Sequence, residues 1–118
     1  MAKGDFFFVR VKGRYEKIAL NVISYLSAAG SYTKIITSAS EYVVSTGLKS
    51  LLEQLESRKV VRCHRSYAVN LNKVEAFNDV SLFVISGNDV SDIPLGNQYK
   101  NTIQALLPKI KTDWFDEI

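Results

Sequence analysis

The densest run of reactive side chains in this 118-residue chain is Arg62-Cys63-His64-Arg65-Ser66, which sets the lone cysteine beside the lone histidine. A thiol next to an imidazole suggests a nucleophile and its base. Their spacing argues against it, because neighbouring residues of an extended strand point to opposite faces. A single cysteine cannot form an internal disulfide, and one cysteine with one histidine supplies too few ligands for a zinc site. No glycine-rich phosphate loop is present; Gly87-Asn88 and Gly96-Asn97 are isolated turn signals. The carboxylates are scattered and unpaired. These residues indicate a non-enzyme with no cofactor and no metal.

Composition narrows the class further. Hydrophobic residues make up 47% of the chain and charged residues 23%, the balance of a folded, soluble domain and not of a disordered segment. With 118 residues there is room for one domain and one main core, so residues 1–118 are read as a single domain. No apolar run approaches the ~20 residues that span a bilayer, and no secretory h-region is visible, so a cytoplasmic location and no membrane partner are expected. The net charge is +3; the last six residues hold Asp113, Asp116 and Glu117 with no basic residue, leaving +6 over residues 1–112. Such an excess permits attraction to phosphate without proving it.

The elements that must carry this run are mostly strands. Phe6 to Lys12 alternates, with Phe7, Val9 and Val11 on one face, and Lys12-Gly13 offers a tight turn into Tyr15–Ile18. A short turn at Asn21–Ser24 leads to a strand over Ile23–Ala28, Gly30-Ser31 breaks it, and Thr33–Thr37 and Tyr42–Val44 follow. Leu48, Leu51, Leu52 and Leu55 then fall at helical spacing, predicting a helix near residues 47–58 capped by Ser45 or Thr46. Strand character runs from Val60 through Asn70. Val74–Phe77 and Val80–Ile85 flank a hairpin turn at Asn78-Asp79. A second helix is predicted near residues 98–107, capped by Gly96 or Asn97 and burying Tyr99, Ile103, Leu106 and Leu107. Strands and helices do not alternate, which argues for antiparallel β with two packing helices over a doubly wound sheet.

In this order the blocks become recognisable. Phe8-Val9-Arg10, Tyr15-Glu16-Lys17-Ile18 and Ile23-Ser24-Tyr25-Leu26 precede Gly30-Ser31-Tyr32-Thr33-Lys34. Val61-Arg62-Cys63-His64-Arg65-Ser66-Tyr67-Ala68-Val69-Asn70 follows the leucine-rich helix, and Ile93-Pro94-Leu95-Gly96-Asn97-Gln98-Tyr99 opens the last one. From about residue 6 to 110 the chain resembles the LytTR family of DNA-binding domains, leaving 111–118 as an acidic, aromatic tail. The resemblance implies a mostly β, elongated antiparallel fold whose loops, and not a recognition helix, enter the major groove of double-stranded DNA. It also implies sequence-specific promoter binding in transcription regulation, on direct repeats, usually behind a phosphoacceptor receiver domain of a bacterial two-component response regulator. A receiver does not fit beside this fold in 118 residues, so the chain is expected to be either a piece of a longer regulator or a free-standing member.

Under that resemblance the DNA-binding residues are Ser31, Thr33, Lys34, His64, Arg65, Ser66, Asn97, Gln98 and Lys100. Arg65 is the main candidate for readout, because its planar fork matches guanine O6 and N7. The bland alternative is a solvated arginine at a strand end. His64 is either a rim histidine that holds its loop or a donor to phosphate. Lys34 and Lys100 are either ordinary surface lysines or phosphate contacts. Where the family often has Ser-Arg, this chain has Gly96-Asn97, so a long basic arm is missing there; Asn97 and Gln98 retain hydrogen-bonding capacity. Cys63 reads as a small buried hydrophobe, and Tyr67, Val69 and Leu71 as core. Two other functions compete. One is single-stranded nucleic-acid binding on an exposed surface of Phe6, Phe8 and Tyr32; the other is a protein-interaction module.

Overall fold

Lys12 and Gly13 adopt φ of 50° and 84°, the left-handed pair that a two-residue hairpin turn needs to match strand twist. They join β1 (Phe6–Val11) to β2 (Arg14–Ala19), an antiparallel ribbon. After one 3-10 turn come β3 (Ile23–Ala29), β4 (Tyr32–Thr37) and β5 (Glu41–Val44), then α1 (Leu48–Leu55). The chain continues through β6 (Val60–His64), β7 (Tyr67–Asn70), β8 (Val74–Phe77), β9 (Ser81–Ser86) and β10 (Asp89–Pro94) to α2 (Asn97–Leu106). This computed structural model describes residues 5–111, so the tail residues Asp113, Trp114, Phe115, Asp116 and Glu117 lie outside the described residues.

Three antiparallel sheets result: β1-β2, the central β5-β4-β3-β7-β6, and β10-β9-β8. Two apolar clusters cover opposite faces of the central sheet. Val9 and Ile18 of the ribbon and Leu48, Leu51 and Leu55 of α1 bury against Ile23, Leu26, Ile35 and Ala68. On the other face, Cys63 and Val69 pack with Leu82, Val84, Ile93 and Leu95 of the small sheet and its exit, and with Ile103 of α2. Strand alternation explains the division: Ala68 and Val69 are neighbours on β7 and serve different clusters. The stacking gives an elongated body with extents of 57 × 28 × 24 Å. The mostly β, antiparallel expectation holds. No helix among the described residues is long and apolar enough to cross a membrane.

Several local expectations need correction. Val60 to Asn70 is a hairpin and not one continuous strand. A bulge displaces the pairing between Arg62 and His64, and the chain reverses at Arg65-Ser66. Helix α1 starts after Gly47, with no side-chain cap from Ser45 or Thr46. It stops at Glu56, whose φ of 51° breaks the helix three residues before Lys59. There the Ser57 hydroxyl accepts from the Lys59 and Val60 N–H groups at 3.0 and 3.3 Å, turning the chain into β6. In α2, Gly96 occupies the N-cap without a side-chain bond, and Leu106, expected to be buried, is 46% exposed. Leu106 keeps the helical spacing of Tyr99 and Ile103 but is the last residue of α2, where the stripe ends and solvent reaches it.

Candidate nucleic-acid interface

Backbone hydrogen bonds gather three segments that are remote in sequence. The β3–β4 turn, Gly30-Ser31, is drawn to the β6–β7 turn because Ala28 N–H donates to the Ser66 carbonyl at 2.8 Å. The start of α2 is drawn to the same turn because Gly96 N–H donates to the Cys63 carbonyl at 2.8 Å. A Cβ on Gly96 would lie 3.5 Å from His64 Cα and Cδ2 and 3.4 Å from Tyr99 Cδ2, so the helix start packs directly on His64. These are ordinary contact distances, and space alone does not require glycine there.

The β6–β7 turn is held from within. Arg62 Nε donates to the His64 carbonyl at 3.2 Å, and its Nη2 donates to the Arg65 carbonyl. Ser66 N–H donates to His64 Nδ1 at 3.0 Å. With Nδ1 accepting, a neutral His64 ring carries its proton on Nε2, where it can donate outward. The ring also lies 5.7 Å from that of Tyr67. Both readings of His64 are therefore compatible with one geometry: it holds the loop with one nitrogen and keeps the other for a partner. Arg65 is exposed at the tip, and among the described residues its guanidinium makes no hydrogen bond or ion pair.

Cys63 takes no part in chemistry with His64. Its thiol is fully buried and donates to the Tyr67 carbonyl at 3.6 Å, while His64 Nδ1 is occupied by Ser66. Burial pushes the Cys63 thiol up to about 12, against a smaller lowering by a backbone hydrogen bond.

The other expected residues divide. Ser31, Lys34, Asn97 and Gln98 are exposed, and Ser66 is half-buried. Lys34 Nζ lies 3.8 Å from Glu41 Oε2, and Lys100 Nζ lies 3.7 Å from Asp79 Oδ2. Both pairs are open to solvent, so each lysine can exchange its carboxylate for a phosphate at little cost. Thr33 does not belong to this surface. It is fully buried on β4, and its hydroxyl donates to the Thr46 carbonyl at 2.6 Å. Tyr32, passed over as a reader of this turn, stands 51% exposed beside it. Alternation on β4 could have separated the two: Tyr32 and Lys34 share one face, Thr33 and Ile35 the other. Arg62 was also missed, since its role depends on a reversal that an unbroken strand would not contain.

The model of the LytTr DNA-binding domain matches residues 13–108. The chain belongs to the LytTR family of DNA-binding domains. A solved structure of similar shape is the LytTr DNA-binding domain of a methyl-accepting/DNA response regulator from Bacillus cereus. It superposes with a TM-score of 0.70 over 87% of this chain and 96% of that one, at 18% identity. That likeness establishes the shared fold. Among curated proteins none matches the chain in sequence. Membership of the family supports DNA binding and transcription regulation, and the structure gathers two turns and the start of α2 side by side.

Proposed function

We propose that this LytTR domain binds double-stranded DNA sequence-specifically and regulates transcription from promoters, reading the major groove with its turns. In this reading Arg65 reads a guanine through its fork, and Tyr32, Asn97 and Gln98 contact bases or backbone beside it. Lys34, Lys100, Ser31, Ser66 and the Nε2 proton of His64 fix the register by phosphate contacts. The observation that carries the proposal is Arg65. Its guanidinium has no partner among the described residues, at the tip of a turn that Arg62 holds by two carbonyls. A guanidinium with no internal partner to give up, on a turn already held by Arg62, suits direct readout, because binding has only the side chain itself left to order.

Residues 1–118 act as one cytoplasmic, non-enzymatic domain in this proposal. Two copies bind direct repeats about one helical turn apart, a spacing set by the duplex. In a longer parent chain a receiver domain of a bacterial two-component system precedes it.

Titration against duplex and single-stranded DNA at two salt concentrations tests the reading. Strong duplex preference with a steep salt dependence is expected. Better binding to single strands would instead favour the exposed ring pair Phe6 and Phe8, whose centroids are 5.9 Å apart and over which Lys17 Nζ sits 4.3 Å from the Phe6 ring. Absence of binding to either would leave a protein-interaction role. Selection from random duplexes then identifies the site.

A further inference from the structure

The tip of the β1–β2 ribbon carries an unfavourable residue for its conformation. A two-residue turn with positive φ at both positions strongly favours asparagine followed by glycine, because asparagine enters the left-handed region several-fold more readily than lysine. Here the first position is Lys12, at φ 50°, followed by Gly13 at 84°. The cross-strand partners Val11 and Arg14 close directly on this pair, so the chain has no other way round the corner. Backbone strain held at an exposed position is a pointer to function.

The position of the tip indicates which function. Lys12 and Gly13 line a groove of about 700 Å³ together with Tyr32, Ser45 and Thr46. Tyr32 follows the β3–β4 turn directly, so the groove connects the ribbon tip with one of the three segments proposed to face DNA. Its charge is one-signed at the outermost residue: Arg14 is paired with Glu16 at 3.4 Å, whereas among the described residues Lys12 has no hydrogen bond or ion pair.

We infer that Lys12 is a phosphate-binding residue, and that the ribbon tip extends the duplex footprint beyond the two turns and the start of α2. The inference rests on the duplex reading above. A lysine on a stiff two-residue turn delivers a point charge to the backbone without reading sequence. It therefore adds affinity and register while leaving base preference to the turns.

Because strain and binding are opposed at this residue, one substitution moves two measurements in opposite directions. Lys12→Asn relieves the turn and removes the charge. The variant is expected to melt a few degrees higher, ~2–6 °C. At the same time it should bind selected and random duplexes more weakly by the same factor. The ratio of affinities between ~50 and ~200 mM salt should shrink about threefold, the loss of one counterion. Lys59→Asn is the control: it removes the same charge from an exposed residue next to Val60, at the end of β6 away from the Arg65 turn. Equal binding by the two variants overturns the Lys12 contact while the duplex reading stands on wild-type behaviour. An unchanged melting temperature of Lys12→Asn removes its premise of strain. Wild-type protein that ignores duplex DNA overturns both.

Discussion

Arg62 donates its guanidinium Nη2 to the main-chain carbonyl of Arg65, so one arginine on β6 anchors the turn from which the other projects. The same guanidinium takes the His64 carbonyl through Nε at 3.2 Å. Two carbonyls that a tight reversal would leave to water are thereby held in one planar fork, a geometry that lysine cannot reproduce. The shift in pairing between Arg62 and His64 lies at the same place in β6.

On the proposed duplex reading, Arg62 positions Arg65 for its contact with a base. Arg62→Lys should keep the fold, with a stability loss of about 1–2 kcal/mol from two partly solvated, charge-assisted hydrogen bonds. It should also narrow the gap between selected and random duplexes. Urea unfolding gives the first quantity and competition binding the second; undiminished discrimination in Arg62→Lys would show that the turn holds without the fork.

For Arg65 the prediction concerns bases directly. Arg65→Ala should cost about 1–3 kcal/mol at the selected site and relax preference at one base pair. Arg65→Lys keeps the charge and loses the fork, so it should bind random duplexes normally and discriminate poorly. Selection repeated with each variant checks this. If Arg65→Lys recovers the wild-type site in full, Arg65 is only an electrostatic anchor.

Lys34 should act without regard to sequence. Its loss in Lys34→Ala is expected to weaken selected and random duplexes alike and lower the salt slope by about one ion. Glu41, 3.8 Å away, competes with phosphate for the same ammonium, so Glu41→Gln should strengthen both complexes modestly. A Glu41→Gln variant that binds no better than wild type would mean that Lys34 faces away from the duplex.

The buried thiol makes a prediction about pH. In the folded state burial raises Cys63 from 9.0 to about 12, so the native chain keeps a proton that the unfolded chain releases. Its stabilising contribution is fully present below pH ~9 and is lost as pH rises toward ~12. Denaturant midpoints should therefore fall between pH 8 and 10.5, and Cys63→Ala, though less stable at pH 8 through the small cavity, should fall less steeply. Parallel pH dependences would remove the thiol as the cause. Iodoacetamide should label Cys63 in urea and leave it unmodified in native buffer.

Much of the architecture was legible along the chain because it is written in local periods. Leu48, Leu51, Leu52 and Leu55 share one helical face whatever surrounds them, and Gly13, which tolerates positive φ, marks a tight turn between alternating strands even with Lys12 before it. The antiparallel character follows from the short connections between successive strands, whereas the β3–β7 pairing that joins the two halves of the central sheet does not. Breaks inside polar runs were not legible in the same way. The reversal at Arg65-Ser66 depends on the Arg62 guanidinium and the His64 ring reaching backbone groups two and three residues away, and a helix-or-strand period carries no record of such bonds.

For the site, residue types and order established the candidates: a fork-bearing Arg65, lysines beside turns, amides at the start of a helix. Alternation could say that Tyr32 and Thr33 face opposite ways. Which of them met solvent was decided by the segment leading into α1, whose Thr46 carbonyl captured the Thr33 hydroxyl and closed that side. Tertiary structure likewise brought Ser31, Arg65 and Asn97 to one end, through the bonds of Ala28 to Ser66 and of Gly96 to Cys63. The physical reason is the range of the forces involved. Burial and backbone preference act between near neighbours and leave a periodic trace, whereas one hydrogen bond between distant strands selects which turns stand together and leaves none.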